Sequence, residues 1–137
     1  MRQIDKNTQR LIQEYKTNLE KPDSEWPADV RNAVRCIHDH LFDHKLTVGW
    51  VEDTCQISNH NFSGKFKFYT GLGAKQYMLE HRLEAAKKLL IDNYKGGLSI
   101  SEIGYEVGFS SYASFNKAFN KSFGLPPGQW LKEKVKG

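Results

Sequence analysis

Ser99-Ile100-Ser101-Glu102-Ile103-Gly104-Tyr105-Glu106-Val107-Gly108-Phe109-Ser110-Ser111-Tyr112-Ala113-Ser114-Phe115-Asn116-Lys117-Ala118-Phe119, followed by Gly124-Leu125-Pro126-Pro127 and Trp130, carries the architecture of this 137-residue chain. Ser99 with Glu102 three residues on is a capping box, which predicts a helix starting near Ile100. Ile100, Ile103 and Val107 fall at i, i+3 and i+7 and make one apolar stripe. Gly104 lies among them, and so small a residue lets a second helix approach closely. Gly108 can take positive φ and end the first helix, leaving Phe109 to plug the corner. Ser110 or Ser111 can cap the second helix, which turns Phe115, Phe119 and Phe123 inward at i, i+4 and i+8. Its other face shows Tyr112, Ser114, Asn116, Lys117, Asn120 and Lys121. Two short helices, a glycine corner and a polar, basic second helix describe a helix-turn-helix, although a helical hairpin in an ordinary core fits the same pattern.

A repeat separates these alternatives. Phe62-x3-Phe66-x4-Gly71-Leu72-x3-Gln76-Tyr77 recurs as Phe115-x3-Phe119-x4-Gly124-Leu125-x3-Gln129-Trp130 at a constant offset of 53 residues. Upstream, Leu46-Thr47-Val48-x2-Val51 matches Leu98-Ser99-Ile100-x2-Ile103 at an offset of 52. The extra residue falls in the corner, where insertion costs little. The chain therefore carries two copies of one helix-turn-helix unit. Between them Ala74 to Asp92 reads as a single helix with Leu79, Leu83, Ala86 and Leu90 on one face.

Further upstream, Asp5 to Leu19 has amphipathic spacing and Pro22-Asp23-Ser24 breaks it. A helix from Ala28 to about His44 is expected, with Pro27 in its first turn and Val30, Val34, Ile37, Leu41 and Phe42 inward. Thr47 caps the first helix of unit one, roughly Val48 to Cys55, and Trp50 covers surface there. The second helix of that unit is expected over Asn59 to Tyr69. Phe62, Phe66 and the stem of Lys65 face inward, while Asn59, His60, Ser63, Gly64 and Lys67 face outward.

Composition narrows the function. Hydrophobic residues make up 39% and charged residues 26%, as in soluble globular proteins. The net charge of +4 is uneven: residues 1–57 hold eight Lys/Arg against ten Asp/Glu, and residues 58–137 hold twelve against six. Positive charge thus travels with the two outward-facing helices, as a polyanion-binding surface requires. No nucleophile with a spaced base, phosphate loop or closed metal set is legible, so neither an enzyme nor a cofactor is expected. Cys36, His40 and His44 share an i, i+4, i+8 stripe that could hold a metal. Lacking an evident fourth ligand, Cys36 is read instead as a small core residue. The two cysteines fit a reducing compartment without a disulfide framework.

The pattern resembles the DNA-binding domain of the AraC/XylS family of bacterial transcription regulators, over about Val30 to Leu131. The resemblance rests on Ile103-Gly104-x2-Val107-Gly108-Phe109-x5-Phe115-x3-Phe119-x3-Phe123-Gly124-x-Pro126-Pro127 and on Arg82-Leu83-x-Ala85-Ala86-x2-Leu89-Leu90. It implies an all-α fold with two helix-turn-helix subdomains joined by a long helix. The expected division is 1–27 as helix and linker, 28–73 as unit one, 74–92 as the joining helix and 93–137 as unit two. It further implies sequence-specific binding of double-stranded DNA, activation of transcription, RNA polymerase as a second partner, and a bacterial cytoplasmic, nucleoid-associated location with no membrane contact. Larger members carry an effector or dimerisation domain before the DNA-binding one, so the resemblance leaves two expectations open: a short stand-alone regulator, or the C-terminal piece of a longer chain whose N-terminal effector domain is absent here.

The expected DNA contacts are Asn59, His60, Ser63, Gly64 and Lys67 in unit one, and Ser111, Tyr112, Ser114, Asn116, Lys117, Asn120 and Lys121 in unit two. Unit one departs from the family pattern. Glu52 stands where unit two has Gly104, Gln56 matches Gly108, and Gly64 occupies a place where a long basic side chain is common. These departures leave a second reading open, a helical protein-interaction module that has lost DNA binding.

Overall fold

The computed structural model describes residues 6–55 and 61–136. Among these residues it is built of helices, with no strand: α1 (Lys6–Thr17), α2 (Ala28–Asp39), α3 (Val48–Thr54), α4 (Phe62–Thr70), α5 (Ala74–Asp92), α6 (Ile100–Glu106), α7 (Tyr112–Phe123) and α8 (Pro127–Val135). No helix among the described residues is long and apolar enough to cross a membrane. The all-α double helix-turn-helix architecture expected from the repeat is present. The repeat shows in the helix starts, with α3 and α6 52 residues apart and α5 and α8 53 apart, whereas α4 starts at Phe62, 50 residues before α7 at Tyr112.

Two cores hold the chain. The first gathers Val30, Val34, Ile37 and Leu41 of the α2 region with Val51, Phe62 and Phe66; the second gathers Leu83, Ala86 and Leu90 with Ile103, Val107, Phe115 and Phe119. The joining helix α5 serves both. Ala74 and Met78 enter the first core, and Leu83 to Leu90 enter the second. Helix α1 lies along α5 and packs Leu11 and Ile12 on the second core and Tyr15 on both, while Leu19, just past its end, packs on the first. The Tyr15 hydroxyl lies 2.8 Å from Nδ1 of His81 on α5. A groove of about 720 Å³ runs between α1, α5 and α8, lined by Leu11, Tyr15, Ile91 and Trp130 among others.

Three sequence expectations need correction. Helix α2 stops at Asp39 instead of His44, and Pro27 is its N-cap. Turns bonded from Asp43 N–H to His40 C=O and from Leu46 N–H to Asp43 C=O replace the last helical turn. That bend lets both Leu41 and Leu46 reach the core, and Arg82 of α5 satisfies the carbonyls of Leu41 and Asp43 at 2.7 and 2.9 Å. The i, i+4, i+8 stripe dissolves with it. His40 pairs with Asp43 at 2.8 Å, and His44 Nε2 lies 2.8 Å from the Tyr105 carbonyl oxygen. Cys36, finally, is not a lone core residue. It forms a disulfide with Cys55, with Cα atoms 7.0 Å apart, because packing α3 on α2 brings two cysteines 19 residues apart together.

Candidate nucleic-acid interface

Unit two is built as its sequence demands. The Ser99 side chain accepts from Glu102 N–H at 3.1 Å and the Glu102 carboxylate accepts from Ser99 N–H at 2.9 Å, completing the capping box. Gly108 has φ of 109°. Gly108 N–H donates to Tyr105 C=O and Phe109 N–H to Gly104 C=O, each at 3.0 Å, so the end of α6 closes in a Schellman turn. A Cβ at Gly104 would lie 2.6 Å from Cδ2 of Phe115, so the close contact of α6 with α7 depends on glycine. Phe109 plugs the corner with its ring 5.2 Å from that of Phe115.

Helix α7 starts at Ser111, whose hydroxyl accepts from Ser114 N–H at 3.1 Å, while Ser114 Oγ donates to Ser111 C=O at 3.0 Å. Both serines thus form the cap. The amides of Tyr112 and Ala113, first in the helix, have no intrahelical acceptor, the arrangement that favours an anion at a helix start. Tyr112, Lys117, Asn120 and Lys121 are exposed along the outer face. Asn116 is different: it is half-buried, and its side-chain oxygen is buried with no hydrogen-bond partner.

Unit one follows the plan with different fastenings. Thr47 caps α3 by accepting from Trp50 N–H at 3.0 Å. Trp50 is half-buried, edge-on to His40 at 4.8 Å, with the Lys45 ammonium 5.3 Å from its ring. Helix α4 begins at Phe62, later than expected, with Asn61 as N-cap. Asn59, His60 and Gln56, all singled out in the sequence, lie outside the described residues. Ser63, Gly64 and Lys67 are exposed on α4. Lys65 turns back to α2, where its ammonium sits 2.8 Å from Oδ2 of Asp29 and holds that carboxyl below the usual carboxylate range. Glu52 is half-buried at the place of Gly104, and α3 and α4 each rest on α2.

Two features of the interface escaped the sequence reading. Phe68 is 79% exposed on α4, its ring 4.9 Å from that of Tyr69. The signal was available, because the 53-residue offset places Phe68 opposite Lys121, an outward position. The second is Arg82. A Cβ at Gly108 would fall 2.7 Å from its guanidinium, so the residue that holds the loop after α2 also abuts the corner of unit two. Together with His44 against Tyr105, it joins the two units.

Comparisons with known proteins agree with this geometry. Residues 53–133 match the family described as "Helix-turn-helix domain". The chain is 34% identical over 124 residues to the Msm operon regulatory protein of Streptococcus mutans, covering 90% of this chain and 43% of that protein. It spans 33% and 38% of the length of two other curated relatives. Among solved structures it superposes on the C-terminal domain of AraT, a response regulator from Geobacillus stearothermophilus, with TM-score 0.71, 28% identity and coverage of 80% and 88%. It also superposes on a Chromobacterium violaceum transcriptional regulator described among AraC-type DNA-binding domain-containing proteins, with TM-score 0.62, 25% identity and coverage of 79% and 93%.

Proposed function

Because the chain belongs to the AraC-type helix-turn-helix family of DNA-binding transcription regulators, we propose that it binds double-stranded DNA sequence-specifically, with α4 and α7 in successive major-groove faces. The observation that carries this reading is the pairing of two repeated units, each showing a polar, lysine-bearing helix face, across one rigid helix. Helix α5 has 19 residues, about 28 Å at ~1.5 Å per residue. That length suits two recognition helices roughly 34 Å apart, one DNA turn. Activation of transcription through RNA polymerase belongs to the same proposal and rests on the family resemblance alone. No reaction is assigned to the chain.

Unit two supplies most of the base discrimination and unit one mainly anchors. Tyr112 can meet a thymine methyl and Lys117 a guanine or phosphate, and an asparagine can pair with adenine. Asn116 is the candidate for that pair. A buried acceptor without a donor costs free energy, which favours turning the side chain out to a base. Asn120, one turn on and exposed, is its neighbour on the same face. In unit one, Ser63 reads bases ambiguously and Gly64 reads none. Lys67 is its phosphate contact, and Asn59 and His60 complete the expected set.

Selection of bound sequences from a random duplex pool tests the reading. Retention of a defined sequence, with affinity that falls steeply as salt rises, is the expected result. A salt slope near zero would remove DNA binding and favour the protein-interaction alternative. Within the selected site, Asn116→Ala should flatten preference in one half, and Ser63→Ala should barely alter the pattern. If the half facing unit one proves the more selective, the division of labour is wrong.

A further inference from the structure

At the places that fasten the corner of unit two, unit one has other residue types, and one of them belongs to a cysteine pair. In unit two, the end of α6 is held by Val107, which is fully buried, by the close Gly104–Phe115 contact and by the Gly108 turn. The 52-residue offset puts Cys55 at the place of Val107, Glu52 at that of Gly104 and Gln56 at that of Gly108. Cys55 is the C-cap of α3 and is only half-buried. Its partner Cys36 lies in the last turn of α2, the helix on which both α3 and α4 rest. The covalent bond therefore ties down the chain end from which the second helix of unit one follows.

We infer that Cys36 and Cys55 form a reversible thiol–disulfide exchange site, and that its oxidation state sets how firmly unit one presents α4 to DNA. The inference rests on the DNA-binding reading above. Both residues are partly exposed, so a small-molecule disulfide can reach them. One cysteine thiolate attacks that disulfide, its S–S bond breaks, and one small thiolate leaves with a proton from solvent. The other cysteine thiolate then displaces the second small thiolate and closes Cys36–Cys55. Two electrons pass from the cysteine pair to the small disulfide, and excess small thiol reverses both steps. In the reduced state the end of α3 keeps only noncovalent packing, and the loop between the cysteines regains freedom that the bond removes.

The full chain is equilibrated in mixtures of glutathione and glutathione disulfide. The oxidised fraction is read by alkylation and mass, amide exchange is followed in residues 62–70 and 112–123, and binding is measured to a duplex recovered from the random pool. Oxidation should slow exchange in residues 62–70 by roughly tenfold, leave residues 112–123 unchanged and tighten binding by roughly tenfold. Cys36→Ser should behave as the reduced protein in every mixture. Cys36→Ala with Cys55→Val, which restores the apolar anchor of unit two, should behave as the oxidised protein in every mixture. Cysteines that alkylate freely at all ratios would overturn the inference, as would a bond that forms without altering exchange in 62–70. If exchange responds and duplex binding does not, control of DNA presentation is refuted. If no duplex is retained in either state, the DNA-binding reading fails instead, while the exchange data still decide whether the bond fastens unit one.

Discussion

Gly104→Ala should destabilise unit two although it adds a single methyl to a helix. The added Cβ would lie 2.6, 2.7 and 3.0 Å from Cδ2, Cγ and Cβ of Phe115. Phe115 is fully buried and cannot swing away, because its ring is flanked by Phe109 at 5.2 Å and Phe119 at 5.8 Å. Relief must come from moving α7 off α6, at a cost of about 1–3 kcal/mol for overpacking. Alanine recovers roughly 0.5–1 kcal/mol of helix propensity, so a net loss of about 1–2 kcal/mol remains. For a chain of this size that lowers Tm by about 3–10 °C. The same shift should weaken DNA binding, since α7 carries Tyr112 and Lys117. Glu52→Ala at the matched place in unit one is the control and should change Tm little. Melting curves followed by circular dichroism decide the matter. A Gly104→Ala protein that melts at or above the parent temperature would show that the close approach is not what requires glycine.

Gly64→Ala should act in the opposite direction. Its Cβ would meet only the side-chain amide of Asn61, nearest at 2.8 Å, which must shift, so urea unfolding should show a gain of at most about 0.5–1 kcal/mol. Lys121→Ala should weaken binding to all duplexes and flatten the plot of log affinity against log salt by about one unit. Burial, with help from His81, pushes His38 down to about 4. The folded state therefore favours the neutral ring, so His38 contributes stability above the unfolded value near 6.5, and that contribution is lost as pH falls towards 4. The loss should reach at most about 1.4 kcal/mol per pH unit, less what solvent screening removes. Melting temperatures of His38→Gln should decline less than those of the parent over the same range.

Local chemistry made much of this molecule legible from its residues. Capping boxes, glycine stops and aromatic spacing at i and i+4 act within one or two turns, so Ser99, Gly108, Phe115 and Phe119 declared their roles without tertiary knowledge. The repeat extended that reading to unit one, and the α5 limits at Ala74 and Asp92 followed from it. Contacts between distant segments were not legible. Nothing in the spacing of Cys36 and Cys55 says that α3 packs on α2. Likewise, α2 stops at Asp39 because Arg82, 39 residues or more beyond the carbonyls it satisfies, rewards a bend there. The half-burial of Asn116 depends on the path of α7 over the core, which helical periodicity resolves only to a face. Sequence alone thus determined which elements form and which faces they offer, because those follow from short-range backbone and side-chain terms. How the two units are locked together, and which outward residues stay free, was decided by long-range packing that only the folded chain contains.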